Sequence, residues 1–213
     1  MTGNNLAGVP DNQALRASIH KKRGALSNNE IAHASERACK LLGDSSLTQN
    51  KQHIAFYYSY GGEINPKPLL SKALSMGKHC YLPVLRQDGT NQLDFAAFQP
   101  GCELKPNRYG IPEPAHKPGE LIRAQQLELV LLPLTSYDLQ GNRVGMGKGY
   151  YDRTFAFLKN QKRPGRPLLI GLAYSFQQVS KLTPQNWDIP LDGIVNEQRL
   201  TLFTSAQKTS PGG

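Results

Sequence analysis

A strongly apolar run that empties into alternating glycines leaves a chain few ways to fold. Leu127 to Leu134 is the most apolar stretch of this sequence and reads as a parallel strand buried on both faces. Residues 138 to 157 follow as DLQGNRVGMGKGYYDRTFAF, where Gly145, Gly147 and Gly149 alternate with other residues around a buried-looking Lys148. Glycine admits positive φ and lets a backbone approach a ligand closely, because no Cβ intervenes. Free N–H groups where such a loop enters a helix form a seat for anions. Tyr151, Phe155 and Leu158 then stand at i, i+4 and i+7, the spacing of a helix that packs one side on a sheet. The expected unit is a strand, a phosphate-type loop and a helix.

The rest of the chain supplies partners for that unit. Residues 12 to 25 have helical periodicity, with Leu15, Ile19 and Leu26 on one side and a basic stripe of Arg16, His20 and Arg23 on another. Ser27 and Glu30 form an S-x-x-E capping box before a second helix, with Ile31, Ala34, Ala38 and Leu41 as its inward face and an end near Gly43. Ile54 to Tyr60 is β-branched and aromatic and runs into Gly61-Gly62, which predicts a central strand with Glu63 just past its carboxyl end. Open α/β sheets bind ligands at that end of their strands. A helix over 66–76, strands over 79–85 and 92–98, an irregular proline-rich loop over 100–118 and a short helix over 120–126 follow. Strands over 167–173, 194–195 and 200–203 close the pattern. The fold class expected is α/β: a single-domain three-layer sandwich with a mostly parallel central sheet and helices on both faces. It spans residues 12–205, between disordered tails at 1–11 and 206–213.

Composition narrows the function classes. At 213 residues the chain can bury one sizeable core without disulfide or metal staples. Its three cysteines, Cys39, Cys80 and Cys102, are scattered with no C-x-x-C pair and are expected to be reduced thiols. No run approaches the ~18 apolar residues of a membrane span, and a polar N-terminus offers no apolar signal segment. A cytoplasmic monomer with no membrane partner is expected. The formal charge of +9 implies an anionic partner without naming it. Lys and Arg are spread along the chain without an aromatic and basic signature of nucleic-acid binding, so no nucleic-acid partner is expected.

The loop matches neither common phosphate motif. A Walker loop requires glycine six residues before Lys148, where Asn142 stands, and Ser or Thr after it, where Gly149 stands. A dinucleotide fingerprint requires glycine where Tyr150 stands. Its parts still suit phosphoryl chemistry, which depends on positioning and charge neutralisation. Lys148 can neutralise a transferring phosphoryl group, Arg143 and Arg153 flank it, and Asp152 can hold magnesium with a second carboxylate such as Asp192. Ordinary alternatives stay open at each position. Asp152 also suits the first turn of a helix, and Tyr150 and Tyr151 suit core packing. A non-enzymatic RNA- or nucleotide-binding module built on the basic helix and loop, or a phosphotransferase with another acceptor, fits the same residues.

One string goes further. Tyr137-Asp138, then Gly141-Asn142-Arg143-Val144-Gly145-Met146-Gly147-Lys148-Gly149-Tyr150-Tyr151-Asp152, resembles the pattern G-x-R-h-G-x-G-x-G-Y-Y-D of the 5-formyltetrahydrofolate cyclo-ligase family, where h is apolar. The resemblance extends over about residues 12 to 203, through Leu15-Arg16, Glu63, Tyr109 before I-P-x-P, Pro133 and Asp192 of I-P-x-D. It implies an enzyme that uses ATP and magnesium to convert 5-formyltetrahydrofolate into 5,10-methenyltetrahydrofolate, with release of ADP and phosphate. It also implies site roles. Lys148, Arg143 and Tyr151 would be catalytic. Arg16, Arg143, Gly145, Met146, Gly147, Lys148, Gly149, Tyr150 and Tyr151 would bind ATP. Tyr58, Glu63, Tyr109, Pro133, Met146 and Tyr150 would bind the reduced folate, and Asp152 and Asp192 would bind magnesium. The chain departs from some members at Asn12, where they carry a nucleotide-site lysine, and at Tyr109, often tryptophan.

Overall fold

The computed structural model describes residues 11–117, 119–161 and 164–203. In chain order its elements are α1 (Asn12–Gly24), α2 (Asn28–Gly43), α3 (Ser46–Gln49), β1 (His53–Ala55), α4 (Lys67–Ser75), β2 (His79–Leu85), β3 (Leu93–Ala97), β4 (Leu104–Pro106), β5 (Pro112–Pro114), β6 (Leu129–Pro133), β7 (Ser136–Tyr137), β8 (Arg143–Val144), α5 (Tyr150–Thr154), β9 (Leu168–Leu172), β10 (Gly193–Val195) and β11 (Leu200–Leu202). The two expected tails lie outside the described residues except for Asp11, whose carbonyl accepts the N–H of Leu15.

Seven strands form one sheet in the order β11-β10-β9-β6-β1-β2-β3. Five of them, β10, β9, β6, β1 and β2, run parallel, and antiparallel β11 and β3 close the two edges. The alternation of β6 explains the layers. Leu129 and Leu131 point to one face, where they meet Ala38, Leu42 and Leu69 of α2 and α4. Val130 and Leu132 point to the other, where Phe155 and Leu158 cover them. A strand buried on both faces must be apolar at every position, and β6 is. This is the α/β sandwich expected, with helices on both faces of a mostly parallel sheet.

Several local expectations change. The capping box forms, with the Ser27 hydroxyl accepting the Glu30 N–H and the Glu30 carboxylate accepting the Ser27 N–H. The inward face of α2 is rotated from the expected one: Ser35, Ala38, Cys39 and Leu42 are buried and Leu41 is 37% exposed. That set follows i, i+3, i+4, i+7 more closely than 31, 34, 38, 41. The strand expected over 54–60 stops at Ala55, although Phe56 N–H still reaches the Tyr81 carbonyl. Beyond it the chain turns over the sheet end, where Tyr57 OH donates to the Ile64 carbonyl at 2.5 Å.

The segment expected to be irregular holds the β4–β5 hairpin, docked on β2 by the Glu113 carboxylate, which accepts Leu85 N–H at 3.0 Å. The helix expected over 120–126 shrinks to a 3-10 turn over Ala124–Gln126. After the glycines, α5 has five residues and gives way to a 3-10 segment over Ala156–Asn160. The expected inward side is kept, because Phe155 and Leu158 are buried.

Candidate active site

The carboxyl ends of β1, β6 and β9 release their chains on one side of the sheet, and the polar residues released there converge. Past β1 lies Glu63, 7% exposed, with Arg23 Nη1 of α1 at 3.6 Å from its carboxylate. Arg23 is itself buried and donates through Nη2 to the Leu134 carbonyl just past β6. Past β9, Tyr174 OH donates to the Gly62 carbonyl at 3.0 Å. Burial pushes the Glu63 carboxyl up to about 7, against the opposing pull of Arg23 and of the Tyr60 N–H. The Tyr57 and Tyr174 phenols are raised by the same burial, Tyr174 to about 12. Arg23 belongs to the basic stripe read from sequence, but its partner is Glu63. His20, between the two arginines, stays exposed.

The glycine loop is reached through a step the sequence hid. β6 does not run straight into it, because β7 and β8 pair first as a two-stranded ribbon carrying Arg143 and Val144. Asp138 organises their turn: its carboxylate accepts N–H groups of Gln140, Asn142 and Leu182 and the Asn142 side-chain amide. Gln177 clamps the other side by donating to the Leu134 and Thr135 carbonyls at 2.8 Å each. Gly147 and Gly149 take φ of +92° and +66°, the left-handed region that glycine occupies without a steric penalty. Gly145 does not need it, yet its carbonyl accepts Arg16 Nε at 2.9 Å. Arg16 also lies so close to Gly147 that a Cβ there would stand 3.4 Å from its Cζ.

The charged residues of the loop divide into two groups. Arg143, with a side chain 5% exposed, donates from Nη1 and Nη2 to Asp152 Oδ1 at 3.0 and 2.8 Å and from Nη1 to the Ile189 carbonyl at 2.9 Å. Ile189 N–H returns a bond to the same Asp152 oxygen at 3.1 Å. Lys148 and Arg153 are exposed, contrary to the buried look of Lys148 in the sequence, and Arg153 Nη1 donates to the Lys148 carbonyl at 2.6 Å. Lys148 thus projects from a loop whose backbone is held by two arginines, Arg16 and Arg153. Met146, 61% exposed, lies over the β6 end with Thr135 Oγ1 at 3.8 Å from its sulfur; Pro133 is the last residue of that strand.

Tyr151 links the loop to the buried glutamate. Its phenol is pushed well above the ordinary range by burial and by the Glu63 carboxylate, and Arg143 opposes the shift. Tyr150 turns outward to Tyr109, with ring centroids 6.2 Å apart edge to face and hydroxyls 3.1 Å apart. Arg108 bonds the Tyr150 hydroxyl and lies 5.2 Å from the centre of the Tyr109 ring. Tyr109 and Tyr58 are 40% and 44% exposed, open enough to receive a flat ligand.

Asp192 is placed differently. It sits at the amino-terminal side of β10, 3% exposed, and its Oδ2 accepts Leu169 N–H at 2.9 Å near the start of β9. Among the described residues, no three His, Cys, Asp or Glu side chains gather as a metal cage. Cys39, Cys80 and Cys102 are free, and burial pushes the Cys39 and Cys80 thiols up to about 11. Among the described residues no helix is long and apolar enough to cross a membrane.

A mostly parallel α/β sheet with a glycine loop, buried charge and open aromatics at its carboxyl edge has the arrangement of an α/β enzyme. The family model of the 5-formyltetrahydrofolate cyclo-ligase family matches residues 9–197. A 5-formyltetrahydrofolate cyclo-ligase of Haemophilus influenzae is 34% identical over 183 residues, 86% of this chain and 96% of that one. The structure of Aquifex aeolicus 5,10-methenyltetrahydrofolate synthetase superposes with a TM-score of 0.75 at 30% identity, covering 95% of both chains. That of the Mycoplasma pneumoniae 5,10-methenyltetrahydrofolate synthetase gives 0.68 at 25%, covering 89% of this chain and 100% of the other. The chain belongs to the 5-formyltetrahydrofolate cyclo-ligase family and is a ligase. Membership does not favour the non-enzymatic RNA- or nucleotide-binding alternative.

Proposed function

We propose that the protein converts 5-formyltetrahydrofolate to 5,10-methenyltetrahydrofolate at the expense of ATP. The observation that carries this reading is helix α1, whose Arg16 holds the Gly145 carbonyl of the glycine loop at 2.9 Å and whose Arg23 faces the buried Glu63 carboxylate at 3.6 Å, so that the loop and the carboxylate lie along one helix. A phosphate donor and a heterocycle rich in N–H groups would meet there.

The chemistry explains why both are needed. A formamide oxygen is a hopeless leaving group. Attack of the formyl oxygen on the γ-phosphorus breaks the bond to the β-phosphate oxygen, and ADP departs. Attack of folate N10 on the activated carbon closes the five-membered ring. N10 then loses its proton, and the carbon–oxygen bond breaks with inorganic phosphate as leaving group. The loop backbone between Gly145 and Gly149, with Arg16 behind it, is assigned to the ATP phosphates, and Lys148 to the charge that develops as the phosphoryl group moves. Arg143 acts from beneath by fixing Asp152. Glu63 is assigned to N–H groups of the pterin, with Tyr58, Tyr109, Tyr150, Met146 and Pro133 as walls.

Magnesium, when bound, would neutralise charge on the β- and γ-phosphate oxygens. It needs only one or two protein carboxylates beside phosphates and water. Asp152 fits, since its Oδ1 takes the three donors from Arg143 and Ile189 and fixes the carboxylate's direction. For Asp192 the geometry supports a bracing role, holding β9 against β10 below the Ile189 segment.

The test is incubation of the pure protein with 5-formyltetrahydrofolate, ATP and magnesium while the methenyl chromophore is followed. ATP-dependent growth of that absorbance is expected, and its absence defeats the reading. A pH profile adds detail. Free Glu63 titrates near 7, so kcat/KM should climb as pH rises through about 7, where the carboxylate becomes available to accept N–H donors. Glu63→Gln should lower kcat/KM and flatten that limb; a limb that survives in the glutamine variant belongs to another group. Stability should run the opposite way. A carboxyl whose folded pKa is raised from 4.5 to about 7 contributes stability below its unfolded pKa that is lost as pH rises through the folded one.

A further inference from the structure

A cleft of about 600 Å³ lies where the β3 edge of the sheet meets α5 and the 3-10 turn over Ala124–Gln126. The reaction proposed above does not use it. Three guanidinium groups line it, from Arg86 just past β2, Arg123 before the turn and Arg153 of α5, against one carboxylate, Asp94 of β3. Three positive charges less one negative leave the lining at +2.

Hydrogen bonds between distant segments fix its walls. Leu93 N–H donates to Thr154 Oγ1 at 2.8 Å and the Gln92 amide donates to the Arg153 carbonyl at 3.3 Å, which ties α5 to the start of β3. Asp94 is spent on the walls, accepting Arg86 Nε at 3.1 Å and Arg123 Nη1 at 3.2 Å on its two oxygens. The Arg86 and Asp94 side chains are 17% and 13% exposed, so that pair is held in place. Asp88, outside the lining and half exposed, comes no nearer than 3.6 Å to Arg86. Arg86 Nη2 and the Nε and Nη2 of Arg153 have no partner among the described residues. Unspent guanidinium donors suit a phosphate, which accepts two parallel N–H bonds from such a fork. Leu93, Ala124 and Phe157 add apolar surface to the same lining.

We propose that this cleft binds a small organic phosphate and that the bound anion steadies the glycine loop through Arg153. Arg153 belongs to both regions. Its Nη1 donates to the Lys148 carbonyl at 2.6 Å, while its Nε and Nη2 edge stays open to an oxyanion. A phosphate on that edge restricts the side chain without displacing the Lys148 bond. Binding in the cleft and order in the loop are then linked equilibria, each favouring the other. Both can be read without turnover, so the inference stands or falls separately from the proposed reaction.

The experiment uses the whole protein, with ribose 5-phosphate as the probe and titration calorimetry as the readout. The wild type should bind it with Kd below ~1 mM at low salt. Arg123→Ala should weaken binding about tenfold, the cost of one charge-assisted contact, and Asp94 keeps Arg86 as its partner in that variant. Arg123→Lys should retain most of the affinity, and Lys148→Met should leave it unchanged because Lys148 is not in the lining. Inorganic phosphate should bind several-fold more weakly, since it cannot cover Leu93 and Phe157. Amide hydrogen exchange from Gly145 to Tyr150 should slow when the probe is added to the wild type, and not at the same concentration in Arg123→Ala. No binding in the millimolar range, or an affinity unchanged in Arg123→Ala, overturns the site. Binding lost in Lys148→Met but kept in Arg123→Ala would put the phosphate in the glycine loop and overturn it equally. Inorganic phosphate binding as tightly as the sugar phosphate overturns the organic ligand, and unaltered exchange in the loop with probe bound overturns the link through Arg153.

Discussion

Asp152→Ala should remove magnesium- and ATP-dependent turnover and at the same time lower the stability of the folded protein by about 3 kcal/mol. From the sequence alone the fold would be expected to survive this change untouched. The structure argues otherwise, because Asp152 neutralises a guanidinium that is only 5% exposed and accepts the Ile189 N–H as well. Removing one partner of a buried ion pair leaves the other charge uncompensated and typically costs ~3–5 kcal/mol. The low end applies, because Asp152 is 19% exposed and water can reach the gap. Asp152→Asn separates the two effects: it keeps an oxygen for Ile189 and Arg143 but drops the charge that magnesium requires. Urea unfolding should rank wild type above Asn above Ala, with both variants inactive. An alanine variant with a wild-type midpoint and wild-type rate would free Asp152 from both roles.

Lys148→Met should reduce kcat by about 100- to 1,000-fold, the usual cost of losing one preorganised group that stabilises transition-state charge. Folate KM should change little. The side chain is exposed and its backbone is held independently by Arg153, so the loop should keep its shape. Steady-state kinetics separate the possibilities: a rise in substrate KM at constant kcat would make Lys148 a binding residue. Stability should stay within the ~0.5 kcal/mol typical of surface substitutions.

The layers of the fold were readable because burial leaves a periodic imprint. β6 is apolar at successive positions, and the capping box before α2 is a local hydrogen-bond exchange that four residues specify. Elements that depend on distant partners were not readable. The β4–β5 hairpin exists in a proline-rich segment because Glu113 finds Leu85, 28 residues away. The β7–β8 ribbon depends on Asp138 gathering N–H groups as far as Leu182. Two overlapping apolar stripes compete in the sequence of α2, and only packing on the sheet decides that Ala38, Cys39 and Leu42 turn inward.

The candidate site divides along the same line. Glycines at 147 and 149 announce backbone freedom, and the structure uses it at both. Arg143 and Lys148 look alike in a sequence, yet one is walled in beside Asp152 and the other stands in the open. Arg23 could be suspected only from its helical spacing to Arg16, because its partners Glu63 and Leu134 come from two different strand ends.

That arrangement has a consequence for the order in which the protein becomes competent during synthesis. Helix α1 is made before its partners: Arg23 must wait for a carbonyl 111 residues later and Arg16 for one 129 residues later. Closing loops of that length is entropically costly and is repaid only once the sheet beneath has formed. A nascent chain released short of the glycine loop would already hold both partners of Arg23 but would lack the Gly145 carbonyl that Arg16 takes, so of the two arginines on α1 it is Arg16 that settles last.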